Sequence, residues 1–193
     1  MLDVGCGTGL VTRAYAGRVA RVVAVDVSSG LIRRARTNLA ACANVALVQA
    51  DAVRLPFRDH SFDHILFCGV VPYLTREELY AALREMKRAC KRGGSIFVCD
   101  LCDTRREVST ILIYGGPTAL PFLHYIGRRL RGRARRGWYH PREFADMARS
   151  LDLEPEFVRQ AREMPFQYRR YDCLLIVQSA GSQGARSGID SGS

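Results

Sequence analysis

Lysine is almost missing from this chain. Its 193 residues hold two lysines against 27 arginines. The formal net charge of +10 therefore rests on guanidinium groups. Two explanations stay open: an electrostatic footprint for an anionic partner, or a usage bias that replaces lysine by arginine throughout. Six of the arginines lie between positions 128 and 136, so the excess is patchy. No stretch of about 18 uncharged apolar residues follows the start, and no membrane-crossing helix is expected. No charged and apolar leader opens the chain, so no signal peptide is expected either. A paired cysteine framework is absent too. Cys6, Cys42, Cys68, Cys90, Cys99, Cys102 and Cys173 are odd in number and mostly embedded in apolar runs. That suits reduced, buried thiols in a cytoplasmic protein. The Cys99-x-x-Cys102 spacing has no second pair, and strand alternation would split the two sulfurs to opposite faces. No metal site is expected. There is no internal repeat. With 48% hydrophobic and 25% charged residues, the length suits one domain with a sizeable core.

What the chain does have is concentrated in its first nine residues, Met1-Leu-Asp-Val-Gly-Cys-Gly-Thr-Gly9. Leu2 to Val4 reads as the end of a buried strand, and Leu10 begins a helical pattern. Between them, glycines at every second position let the backbone turn through φ > 0 and let a ligand touch main-chain atoms. The helix that follows points its free N–H groups back at the turn. Strand, glycine turn and helix start together make a nucleotide pocket. A dinucleotide fingerprint, G-x-G-x-x-G/A, would need Gly or Ala at position 10. Leu10 stands there, which disfavours a nicotinamide dehydrogenase.

The run from Leu2 to Gly9, LDVGCGTG, resembles motif I of the class I S-adenosylmethionine-dependent methyltransferases, with Asp3, Gly5, Gly7 and Gly9 in place. The likeness is to the small-molecule, type 11-like members and covers roughly residues 2 to 180. It implies an α/β fold: a Rossmann-like, doubly wound, seven-stranded sheet of order 3-2-1-4-5-7-6 with the last strand antiparallel. Residues 1–180 would form the methyltransferase domain, with 103–137 as an acceptor-side insertion, and the Gly/Ser-rich 181–193 a disordered tail. The helices that usually precede the first strand are lacking here. Either the true start lies upstream or the site is more open than usual.

Along the chain, Leu10, Val11, Ala14, Tyr15 and Val19 make a helical face expected to turn inward. Arg21 to Val25 reads as a buried parallel strand, ending in Asp26, 21 residues after Gly5. A carboxylate there can accept both hydroxyls of a ribose, and the resemblance gives Asp26 that role, with Val27 beside it. Ser28 or Ser29 can cap a helix over Gly30 to Cys42. The resemblance sets Leu31 near the adenine. Asn44 to Val48 is a third strand. Asp51-Ala52-x-x-Leu55-Pro-Phe57 matches a family segment that gives Asp51 the adenine amino group and the Ala52 N–H a ring nitrogen. Ser61 to Val70 is a fourth strand and its exit. By the same likeness Cys68 and Gly69 approach the methionine end of the cofactor, and Cys6 in the glycine turn belongs to the cofactor site. Pro72-Tyr73 stands where His-His is common, so the general base is left open. Thr75 to Glu78 is a capping box. Its helix is expected to reach about Arg92 and to stop at Gly93-Gly94, with Lys87, Arg88, Lys91 and Arg92 a solvated basic end. Ser95 to Asp100 is a fifth strand. Pro141 opens the last large helix, and 154–163 and 171–180 supply a closing hairpin.

The methyl acceptor is not legible. Residues 103–137 hold apolar stretches at Ile111–Tyr114 and Leu120–Ile126, then the arginine cluster. Three readings compete: a lid over an apolar or anionic small molecule, a membrane-surface contact through Arg128–Arg136, or a grip on nucleic acid phosphates. An Asp/Asn-Pro-Pro-aromatic motif and a Pro-Cys dipeptide are both missing, which disfavours nucleic acid. The resemblance implies in-line methyl transfer from S-adenosylmethionine to a small-molecule acceptor, leaving S-adenosylhomocysteine. The thioether leaving group needs no acid, so alignment supplies much of the acceleration, with a base only for a poorly acidic acceptor. Tyr73, His124 and His140 are catalytic candidates by position. A nucleic acid methyltransferase, or a non-catalytic binding module of the same fold, remains the alternative.

Overall fold

Short β-branched runs alternate with helical patterns, and such alternation folds as a parallel sheet with helical crossovers. A computed structural model of the chain describes residues 1–106, 137–158, 160 and 170–178. In chain order the elements are β1 Leu2–Val4, α1 Leu10–Ala16, β2 Val22–Asp26, α2 Ser29–Asn38, β3 Val45–Gln49, β4 Phe62–Cys68, α3 Arg76–Ala89, β5 Cys90–Asp103, β6 Trp138–Tyr139, α4 Pro141–Arg149, β7 Leu153–Val158 and β8 Arg170–Val177. The sheet order is β3-β2-β1-β4-β5-β8-β7, with β6 beside β5. β8 runs antiparallel to both β5 and β7. This is the expected order 3-2-1-4-5-7-6 with one short strand inserted. β6 pairs only Trp138 and Tyr139 with Cys102 and Asp103, and two residues carry no readable periodicity.

The main core lies between the sheet and helices α3 and α4. Leu79, Leu83 and Met86 recur at helical spacing and are wholly buried with Ile65, Phe67, Ile96, Val98 and Phe144. Each such side chain contributes about 1.5–3 kcal/mol by leaving water. A smaller core sets Val22 and Ala24 against Cys6 and Ile32. Helix α1 departs from expectation. Thr12 and Ala16 face inward, while Leu10 and Val11 are more than half exposed, at 55% and 53%. The inward side of α1 answers a buried carboxylate beneath it, described below.

Helix α3 has the expected capping box, with Thr75 and Glu78 exchanging side-chain-to-backbone bonds. Its end is earlier than expected, at Ala89 rather than Arg92. The His60 N–H takes the Arg88 carbonyl at 2.9 Å and the Ser61 N–H takes that of Ala89 at 2.8 Å. Cys90 is thereby already a strand residue, paired with Phe62. Gly93 and Gly94 serve the irregular stretch before His64 pairs with Ser95. A Cβ on Gly94 would stand 2.5 Å from the Asp63 carbonyl oxygen. The basic end of α3 is also not simply solvated. Lys87 pairs with Asp152 and Lys91 with Asp63. The Arg88 fork binds Glu85, Asp59 and the carbonyls of Leu55 and Phe57, a planar five-donor task that lysine could not perform. His124, the Arg128–Arg136 cluster, most of the 103–137 insertion and the 181–193 tail lie outside the described residues. Among the described residues no helix is long and apolar enough to cross a membrane.

Arg88→Met is expected to cost about 1–3 kcal/mol, because it strips several part-buried acceptors of their donor. Lys91→Met, which breaks an exposed pair, is expected to cost less. Equilibrium denaturation of the two variants, which should differ in this order, checks the assignment.

Candidate cofactor and active site

The glycine turn is shaped by its neighbours. Gly5, Gly7 and Gly9 have φ of 76°, 57° and 77°, values that L side chains resist. The N–H groups of Gly5 and Cys6 both donate to the Val25 carbonyl, at 2.8 and 2.9 Å, which ties the turn to β2. A Cβ on Gly5 would fall 2.2 Å from Cγ2 of Val70, and one on Gly9 2.7 Å from Cδ1 of Leu39. A Cβ on Gly7 would meet nothing within 4 Å. Gly5 and Gly9 are thus bare so that β4's exit and α2 can close in. Gly7 is bare toward open space, a cradle that a side chain would fill. Asn38 steadies the turn from α2, its Nδ2 donating to the Thr8 carbonyl at 2.8 Å.

Three carboxylates flank the turn. Asp3 lies beneath it, 2% exposed. Its Oδ2 accepts from the Thr12 hydroxyl at 2.6 Å and from the Tyr15 hydroxyl at 2.8 Å. Burial pushes the Asp3 pKa up from its ordinary value, and the two hydroxyls work against that push. Asp26, at the tip of β2, is buried. Its Oδ2 accepts from the Gly7 N–H and its Oδ1 from the Ser28 N–H, each at 2.9 Å. A carboxylate offers about four acceptor positions, so Asp26 keeps capacity for a ligand. Asp51, past β3, is exposed, and its Oδ1 accepts from the Val53 N–H at 3.1 Å.

These groups meet at a cavity of about 570 Å³ beyond the carboxyl ends of β1, β2, β3 and β4. Of the residues singled out from sequence, Gly5, Gly7, Asp26, Val27, Leu31, Asp51, Ala52, Gly69 and Tyr73 line it. Four others do not. Asp3 sits below the turn, and Gly9 is packed against α2. Cys6 belongs to the smaller core, where burial pushes its thiol up to about 12. Cys68 lies on β4, half-buried, beside Cys99 of β5. Tyr73 stands on the rim, 77% exposed. His140 is elsewhere, in a groove between α3 and α4 with Arg76 and Glu143. Its Nδ1 accepts from the Arg142 N–H at 3.1 Å as the N-cap of α4. That bond occupies the lone pair a general base would need. The sequence had marked Ser28 only as a cap and had not marked Val70 for the wall. The touch of Val70 on Gly5 joins positions far apart in the chain and left no local signal. Two larger grooves, of about 820 and 750 Å³, run along α3. Ion-paired side chains line them and neither touches the glycine turn.

Gly5→Ala should cost at least about 1–3 kcal/mol, from overpacking against Val70 on a backbone already at positive φ. Asp3→Ala, which leaves two inward hydroxyls without their acceptor, should cost about 3 kcal/mol. Thermal unfolding of both variants measures this, and wild-type melting would refute the packing described.

Comparison with known proteins agrees with the geometry. A family model described as a methyltransferase domain matches residues 1–94. The demethylmenaquinone methyltransferase of Corynebacterium urealyticum is 31% identical over 164 residues, 85% of this chain and 64% of that protein. A ubiquinone/menaquinone biosynthesis C-methyltransferase of Ectopseudomonas mendocina is 36% identical over 106 residues, 52% of this chain and 41% of that protein. The chain thus spans less than two thirds of the length of these relatives. Among solved structures, an S-adenosylmethionine-dependent methyltransferase of Methanosarcina mazei superposes with a TM-score of 0.71 at 15% identity, covering 92% of each chain. The magnesium protoporphyrin IX methyltransferase of Synechocystis, solved with S-adenosylhomocysteine, gives 0.66 at 16% identity over 92% of this chain and 73% of that one. The last two show the shared fold. Motif, sheet order, family model and relatives converge: residues 1–94 carry a methyltransferase domain, and the sheet has the fold of the class I S-adenosylmethionine-dependent methyltransferases.

Proposed function

We propose that the chain transfers the methyl group of S-adenosylmethionine to a small, apolar ring acceptor of the quinol class. The observation that carries this reading is the convergence of Gly5, Gly7, Asp26, Asp51 and Gly69 on one cavity. The residues present fit the cofactor. The bare cradle over Gly7 leaves room for it, and the spare acceptor positions of Asp26 suit a ribose diol. Asp51 and the Ala52 N–H would hold the adenine edge, with Val27 and Leu31 on its face. The main chain at Gly5 and Gly69 would hold the methionine end. Bound there, the sulfonium supplies an electrophilic methyl group.

The acceptor class is supported by the names of the curated relatives, which are methyltransferases of menaquinone and ubiquinone biosynthesis. Val70, Tyr73 and Leu74 give the cavity an apolar border consistent with a ring. Tyr73, exposed on that border, is the residue we assign to holding the acceptor. His140 we assign to the fold, since its lone pair caps α4. A phenolic hydroxyl ionises only near pH ~10, so the acceptor must pass a proton to water or a side chain during transfer, while positioning supplies much of the acceleration.

Calorimetric titration with S-adenosylmethionine and S-adenosylhomocysteine should show micromolar binding. Asp26→Ala should weaken it by about 1.5–3 kcal/mol, the range of a charged hydrogen bond; unchanged affinity would remove the ribose role. With binding established, label from the cofactor methyl should appear in a demethylated quinol. Intact binding without transfer to any quinol would overturn the acceptor class, and Tyr73→Phe should lower turnover while leaving cofactor affinity unchanged.

A further inference from the structure

Cys68 and Cys99 stand directly opposite each other on the adjacent parallel strands β4 and β5. Directly paired residues of neighbouring strands project from the same face of the sheet. Both thiols are half-buried, whereas Cys6, Cys90 and Cys173 are buried. The strand spacing of about 4.8 Å falls inside the 4.4–6.8 Å range of Cα separations that a disulfide spans. The neighbouring Cys99 thiol holds the Cys68 pKa below its usual value against the opposing pull of burial. The same pairing, with burial, pushes Cys99 up. Cys68 is therefore the better nucleophile of the two. The sequence spacing had drawn attention to Cys99 and Cys102. The ladder instead gives Cys99 a partner 31 residues earlier in the chain.

We propose that Cys68 and Cys99 form a reactive thiol pair that low-molecular-weight disulfides oxidise to a bond across β4 and β5, and that this bond impairs the methyl-donor cavity. The chemistry balances as two exchanges. The Cys68 thiolate attacks one sulfur of the small disulfide, forming a mixed disulfide and releasing one thiolate, which takes up the proton Cys68 gave up. Cys99 then loses its proton and attacks the Cys68 sulfur, expelling the second small thiolate, which takes up that proton. Two protein thiols are oxidised and one small disulfide is reduced to two thiols.

The consequence for the cavity follows from position. A disulfide draws its Cβ atoms to about 3.8 Å, closer by about 1 Å than the spacing of strands. Cys68 is the last residue of β4, and Gly69 and Val70 after it are cavity wall. The Gly69 N–H already points at the Cys99 carbonyl, at 3.4 Å. Val70 rests on Gly5. Closing the bond therefore drags the wall away from the glycine turn, and such misplacements are expensive in a positioned site.

The inference uses the cofactor cavity but not the acceptor. The test is incubation of the whole chain with oxidised glutathione, followed by non-reducing peptide mapping and calorimetry with S-adenosylhomocysteine. The expected result is a Cys68–Cys99 link with loss of two hydrogens per chain, at least tenfold weaker binding, and recovery with dithiothreitol. Cys99→Ser should bind normally when reduced and should stop at a glutathione adduct on Cys68. A wild-type chain that stops at the adduct, a link between other cysteines, or a mapped Cys68–Cys99 bond with unchanged affinity overturns the proposal. A reduced chain that fails to bind S-adenosylhomocysteine would count against the cofactor reading instead, and the mapped link alone would then decide the thiol pair.

Discussion

The Asp26 carboxylate joins three parts of the molecule that would otherwise drift apart. One oxygen receives the glycine turn after β1 through Gly7, and the other receives the start of α2 through Ser28. The carboxylate itself is anchored at the end of β2, next to β1 in the ladder. Two charge-assisted bonds at 2.9 Å, on a group that is almost fully buried, are worth more than neutral ones and fix geometry as well as energy. The group that the resemblance assigns to the ribose is thus also the group that shapes the cavity. On that assignment, one side chain would serve both binding and folding.

Asp3 performs the complementary task from below. Its carboxylate gathers the Thr12 and Tyr15 hydroxyls of α1 and so sets the rotation of that helix. A polar inward face is costly unless each group is satisfied, and here the three groups satisfy one another. Leu10 and Val11 are left outside as a result. The glycines then let the surrounding elements close in, with Val70 on Gly5 and Leu39 on Gly9.

The far side of the cavity is built by contacts of the same kind. Gly137, at φ 78°, lies so close to Pro72 that an added Cβ would be 2.2 Å from its Cα. That contact fastens β6 to the turn carrying Tyr73. Tyr171 donates to the Tyr139 carbonyl at 3.2 Å, and Phe144 packs edge-on against both tyrosines. The rim residue assigned to the acceptor therefore rests on the β5–β6–β8 corner of the sheet. The same strand β5 carries Cys99 beside Cys68, so thiol chemistry and cavity shape share a wall.

Local sequence determined a great deal here. LDVGCGTG fixes a strand, a positive-φ turn and a helix within nine residues, because glycine adopts those backbone angles without the steric cost of a side chain. Strand runs such as Val22 to Val25, and the Thr75–Glu78 capping box, are written in neighbouring residues, whereas the strand order was legible only through the resemblance that LDVGCGTG carries. Contacts between distant positions could not be read in advance. The end of α3 was decided by His60 and Ser61 taking its carbonyls, and the fate of Arg88 by Leu55, Phe57 and Asp59 arriving from a loop. The inward face of α1 was decided by Asp3, His140 was claimed by the Arg142 N–H, and Cys99 met Cys68 through ladder register. Periodicity and turn chemistry act over a few bonds and leave their mark in order. Hydrogen-bond satisfaction and strand register act across space, and only the folded chain settles them.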